Sequence, residues 1–99
     1  MNFNEYQEKS REFNKHTNNP LYPALGLSSE AGEVGNIVKK IERDKQGVHD
    51  DEDLGDLMFE LGDVLWYISA IADQFKLRLD TIAENNLHKL RIREKENAR

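Results

Sequence analysis

Glutamate stands at position 30 in a run where helical spacing calls for an apolar side chain. Leu27, Ala31, Val34, Ile37, Val38 and Ile41 recur at helical intervals, which predicts an amphipathic helix over about 24–45. Glu30 lies inside that stripe and Glu33 lies at its edge. A carboxylate directed at a core is costly unless it is paired or metal-bound. A chain that places acids there must bring something to meet them, and this limits the folds open to it. The motif returns downstream: Glu30-Ala-Gly-Glu33 is echoed by Glu60-Leu-Gly-Asp63, with 26 residues between the pairs. Residues three apart on a helix sit roughly 60° apart around its axis, so each pair projects two carboxylates in one direction.

The second pair belongs to another predicted helix, over about 51–76, whose main stripe is Leu54, Leu57, Met58, Leu61, Val64, Leu65, Ile68, Ala72 and Phe75. Asp50 or Asp51 suits its N-cap. Phe59 and Trp66 form a second apolar patch on a different side and read as interface or core. A helix apolar on two sides is usually buried on two sides, and in a chain of 99 residues the second side is expected to meet another subunit. Upstream, Phe3, Tyr6 and Phe13 mark a short amphipathic helix over about 3–16. Both prolines, Pro20 and Pro23, fall in TNNPLYP, which reads as a loop. Asp80 is a candidate cap for a fourth helix with Ile82, Ala83, Leu87 and Leu90 on one face. The basic tail, from about 91–93 onward, is expected to fray. No strand pattern occurs. The expectation is one all-α domain over 1–99, a four-helix bundle in which antiparallel second and third helices gather both acid pairs.

The chain has no cysteine, which excludes disulfide scaffolds and thiolate metal sites. A net charge of −5 disfavours nucleic acid as a partner and requires cations at any polyphosphate site. No apolar run reaches membrane-spanning length and MNFNEYQEKSREF lacks a signal-peptide core, so the default location is the cytoplasm. His16, His49 and His88 share no pattern and carry no expected catalysis.

Four carboxylates without Cys or His make a hard, oxygen-only ligand set, suited to Mg²⁺ with Mn²⁺ as a substitute. Glu33 and Asp63 stand where a di-iron bundle would carry histidine, which disfavours iron. Such a centre can hold a polyphosphate and activate water. A partly exposed charged face fits the same spacing, and from the residues alone both readings stand. Gly32, Gly35 and Gly62 beside the acids suggest close helix approach or room for a ligand.

The segments LGLSSEAGEV, ELGDVLWYI and NNLHKLRIR together resemble the MazG-type all-α nucleotide pyrophosphohydrolases, over about 20–93. The resemblance implies that Glu30, Glu33, Glu60 and Asp63 hold Mg²⁺ and that a (d)NTP is hydrolysed to (d)NMP and pyrophosphate. One carboxylate, Glu33 or Glu60, would orient or deprotonate the attacking water. Tyr67, Asn86 and Lys89 match substrate-contacting positions, and Lys89 suits a phosphate as a compact cation. The resemblance also implies a homodimer or homotetramer, built as a dimer of dimers, with substrate near subunit contacts. Lys39 and Lys40 read as surface residues, and Tyr22 is a candidate to stack on a base. Two rivals remain: a phosphoribosyl-ATP pyrophosphohydrolase, and a non-catalytic helical oligomer that binds nucleotide or a protein partner. The segment before Leu21 has little to match, which leaves base and sugar preference open.

Overall fold

The computed structural model describes residues 1–15 and 18–97. Among them the fold is all-helical: α1 (Phe3–Ser10), one 3-10 turn (Arg11–Phe13), α2 (Leu21–Lys45), α3 (Asp51–Gln74) and α4 (Leu79–Asn97). The boundaries differ from the sequence expectation in physically clear ways. The first helix stops at Ser10 and tightens into the 3-10 turn instead of running to 16; His16 lies outside the described residues. The second helix begins at Leu21, earlier than expected, because Pro23 falls in its first turn. A first-turn N–H has no intrahelical acceptor, so proline costs little there. The fourth helix extends to Asn97, and the last two residues of the basic tail lie outside the described residues.

Two devices fix the α2–α3 reversal. Gln46 closes α2 in the left-handed region at φ 54°, and Gly47 follows at φ 82° with its N–H bonded to the carbonyl of Ile41 at 3.1 Å. Asp50 then caps α3 in a capping box, its side chain accepting from the N–H of Asp53 at 2.8 Å and its own N–H donating to Asp53 Oδ2 at 3.0 Å. Lys45 Nζ ties the turn by reaching Asp50 and Asp53, both at 2.9 Å.

Helices α2 and α3 form the main packed pair; α1 crosses the C-terminal half of α3, and α4 leans on α1. A buried polar seam joins α1 to the rest. Ser10 Oγ and Ser69 Oγ are hydrogen-bonded at 2.9 Å, and Trp66 Nε1 donates to the carbonyl of Ser10 at 3.2 Å. Gln7 Nε2 donates to Asp73 and to the carbonyl of Leu77, while its Oε1 accepts the N–H of Leu79. A side chain of α1 therefore satisfies the opening N–H of α4, with Asp80 already inside that helix.

The apolar core within one chain is thin: Ile41, Ala70, Ala72 and Leu79 are its buried members. Leu54, Met58, Phe59 and Leu61 on α3 are exposed, Met58 to 76%. The radius of gyration is 16.4 Å, against about 13 Å for a compact domain of this size. The helices thus form a hairpin with two appended helices, not a bundle closed within a single chain.

Candidate metal centre

Antiparallel packing of α2 on α3 brings three of the four expected acids together. One carboxylate oxygen each from Glu30, Glu60 and Asp63 lie within 4.8 Å of one another, and all three residues are half-buried. Glu33, the next acid on α2, is exposed and does not join this trio, although Glu60 feels its charge. Glu60 is the strained member. A hydrogen bond with Glu30, loss of hydration and the charges of Glu30, Asp63 and Glu33 push its carboxyl up to about 7, from an ordinary 4.5. Its Oε2 is shut off from solvent and has no hydrogen-bond partner. An orphaned oxygen inside a convergent oxygen-only set is what a hard divalent cation satisfies, so these residues fit a metal.

The glycines beside the acids do not mediate helix contact. A Cβ added at Gly32, Gly35 or Gly62 would meet nothing within 4 Å, so the space there is open. Close approach occurs instead at Gly26, which the sequence reading did not single out. There the ring of Tyr67 lies against the α2 backbone, one turn before Glu30. Tyr67 meets Trp66 edge-on, with centroids 5.2 Å apart at 85°. Its phenol is raised above the ordinary value by burial first, then by Tyr22, Glu30 and Asp63. Tyr6 of α1 also comes close enough for Asp63 to add to the rise that burial gives its phenol. Nothing local marked Tyr6, since only the fold brings α1 to α3. Gly26 did leave a trace, because Tyr22, Gly26 and Glu30 recur every four residues on one face.

Asn86 and Lys89 are placed elsewhere. They line a surface hollow of about 410 Å³ with Leu77, Arg78, Thr81, Ile82 and Asn85, and none of the four acids borders it. Lys39 and Lys40 are exposed on α2.

The sequence profile of the MazG nucleotide pyrophosphohydrolase domain matches residues 19–97. The chain belongs to the MazG family. It is 50% identical over 72 residues to the Gene 37 protein of Mycobacterium phage L5, an alignment covering 73% of this chain and 63% of that protein. No solved structure gives a significant match. The chain thus spans less than two thirds of that relative's length, and α1 lies outside the span matched by the family. None of the described helices is long and apolar enough to cross a membrane.

Proposed function

We propose that this protein hydrolyses a nucleoside triphosphate, ribo or deoxy, to the monophosphate and pyrophosphate with Mg²⁺. The observation that carries this reading is the convergence of Glu30, Glu60 and Asp63 around an unpartnered Glu60 oxygen. Glu30, Glu60 and Asp63 would hold the metal, with Glu33 one helical turn away to extend the ligand set. Bound there, Mg²⁺ supplies neutralisation of the polyphosphate and a lowered pKa for water. Water adds to phosphorus, the bridge between the α- and β-phosphoryl groups breaks, and a carboxylate takes the proton that water gives up. Glu60, within the trio and with one oxygen unpartnered, and Glu33, exposed beside it, are the acceptors assigned to that proton. Tyr67 stands beside Glu30 and Asp63, where the nucleoside end of a bound substrate would continue.

Asn86 and Lys89 reach the substrate from a second copy of the chain. Their distance from the acids within one protomer and the exposed face of Leu54, Met58, Phe59 and Leu61 support a homodimer or homotetramer. Pyrophosphate release measured across all NTPs and dNTPs, and with phosphoribosyl-ATP, tests the assignment. Mg²⁺-dependent release that Glu30→Ala and Asp63→Ala abolish at unchanged helicity is expected. Undiminished turnover in either variant, or no release from any nucleotide, would overturn it.

A further inference from the structure

We propose that Gly26 is a positioning residue: it forms a socket on α2 that seats the ring of Tyr67 and locks it, with Tyr22, into one wall beside the metal centre. The proposal rests on the pyrophosphohydrolase reading for its kinetic consequence, but not for its structural one.

The geometry is specific. A Cβ at position 26 would fall 2.5 Å from Cζ and 2.7 Å from Cδ1 of Tyr67, and would overlap Cε1. No rotation of a methyl group relieves three ring atoms at once, and the ring has little freedom to retreat. Trp66 meets that ring edge-on with centroids 5.2 Å apart, and Trp66 is itself tied to Ser10. Among Gly32, Gly35, Gly55 and Gly62, which also lie in α2 and α3, a Cβ would meet nothing within 4 Å. The helical glycine that touches a neighbour is therefore the one facing Tyr67. Position and sequence agree. Tyr22, Gly26 and Glu30 follow one another at single turns on α2, while Asp63 and Tyr67 are one turn apart on α3. The socket thus sets the distance of an aromatic wall from two of the three converging carboxylates. Tyr22 also acts on the Tyr67 phenol, so moving the ring changes the relation of the two phenols.

A merely structural glycine behaves oppositely. Alanine is the better helix former, so without the ring Gly26→Ala would strengthen α2. The test is a double-mutant cycle of Gly26→Ala, Tyr67→Leu and the pair. Trp66, the one tryptophan of the chain, reports ring contact by its fluorescence. Mn²⁺ binding to the metal-free protein, followed by electron paramagnetic resonance, reports the acids. Gly26→Ala is expected to shift Trp66 emission, to leave Mn²⁺ affinity within about twofold, and to raise KM on the order of tenfold with a smaller change in kcat. In the Tyr67→Leu background the same change is expected to alter neither emission nor KM. Unchanged emission in Gly26→Ala, or an equal effect with and without the Tyr67 ring, would overturn the socket. Should no nucleotide be hydrolysed, the pyrophosphohydrolase reading fails, and the emission cycle still decides whether Gly26 seats Tyr67.

Discussion

Replacing Gln7 by alanine tests how α1 and α4 are held, and its cost can be worked from contacts. Gln7 is 5% exposed and makes three hydrogen bonds, at 2.9 Å to Asp73, 2.8 Å to the carbonyl of Leu77 and 2.9 Å from the N–H of Leu79. Leu79 opens α4, so its N–H has no intrahelical acceptor, and at 4% exposure it has little access to water. Stranding such a donor costs about 1–3 kcal/mol, and each of the other two bonds contributes about 0.5–1.5 kcal/mol net. The total is about 4 kcal/mol, a large part of what a domain this small can hold. It translates to a loss of about 16–32 °C in Tm. Gln7→Glu is expected to be at least as damaging, because it turns an oxygen toward Asp73 and the carbonyl of Leu77. The assay is thermal and urea unfolding at one fixed protomer concentration, since association would shift the midpoint. A Gln7→Ala variant within 0.5 kcal/mol of the parent would refute the reasoning. It would mean that α4 is oriented by something other than this side chain.

Other outcomes follow from the acids, the turn and the glycines. Glu60 holds its proton up to about 7 in the folded chain but only to about 4.5 when unfolded. Metal-free stability therefore falls as pH rises through that window. A divalent cation removes the conflict, so the Tm gained on adding Mg²⁺ or Mn²⁺ is expected to be larger at about pH 8 than at about pH 5.5; equal gains would refute the placement. The Asp50 carboxyl is held down to about 2 by the N–H of Asp53 and then by Lys45. Its stabilising contribution is complete above an ordinary carboxylate pKa and disappears as pH falls toward 2, so Asp50→Ala is expected to unfold at higher pH in an acid titration. Gly55→Ala and Gly62→Ala meet no neighbour, and each is expected to stabilise α3 by about 1 kcal/mol in thermal melts. Gly55→Ala should keep full activity, whereas loss of activity in Gly62→Ala at raised Tm would place ligand in the open space between Glu60 and Asp63.

What the sequence made legible was what recurs locally. The 3.6-residue periodicity of α2 and α3 located both helices and put Glu30 against its partner helix, and Asp50 declared itself as a cap. Pro23 misled because a proline pair reads as a loop, while the first turn of a helix asks for no N–H at that position. The end of α1 at Ser10 was hidden because its cause is tertiary: Ser10 is spent on Ser69 and Trp66, far along the chain. The direction of α4 was equally hidden, since the residue that satisfies its first N–H is Gln7. Glu33 stood at the edge of the stripe that Glu30 occupies, and the angle between residues three apart is enough to turn it outward when Glu30 faces α3. Gly26 has no acid beside it, and contact with an opposing ring, not adjacency to a carboxylate, is what makes a missing Cβ necessary.

The thin core and the charged centre bear on one another. The α2–α3 pair is the principal packed unit of the chain, and its interface carries three half-buried carboxylates where apolar side chains would otherwise sit. Few apolar residues are buried to offset that arrangement within one protomer. The proposed function relieves both deficits from outside the chain: a cation between the acids, and a second copy over Leu54, Met58, Phe59 and Leu61. Relief of one kind strengthens the same helix pair that the other depends on. Metal binding and association should therefore be positively coupled, so that dilution weakens the affinity for Mn²⁺ and chelation weakens the oligomer by the same factor. A metal affinity independent of protomer concentration, across the range where the oligomer dissociates, would show that the centre is complete and unstrained within a single chain.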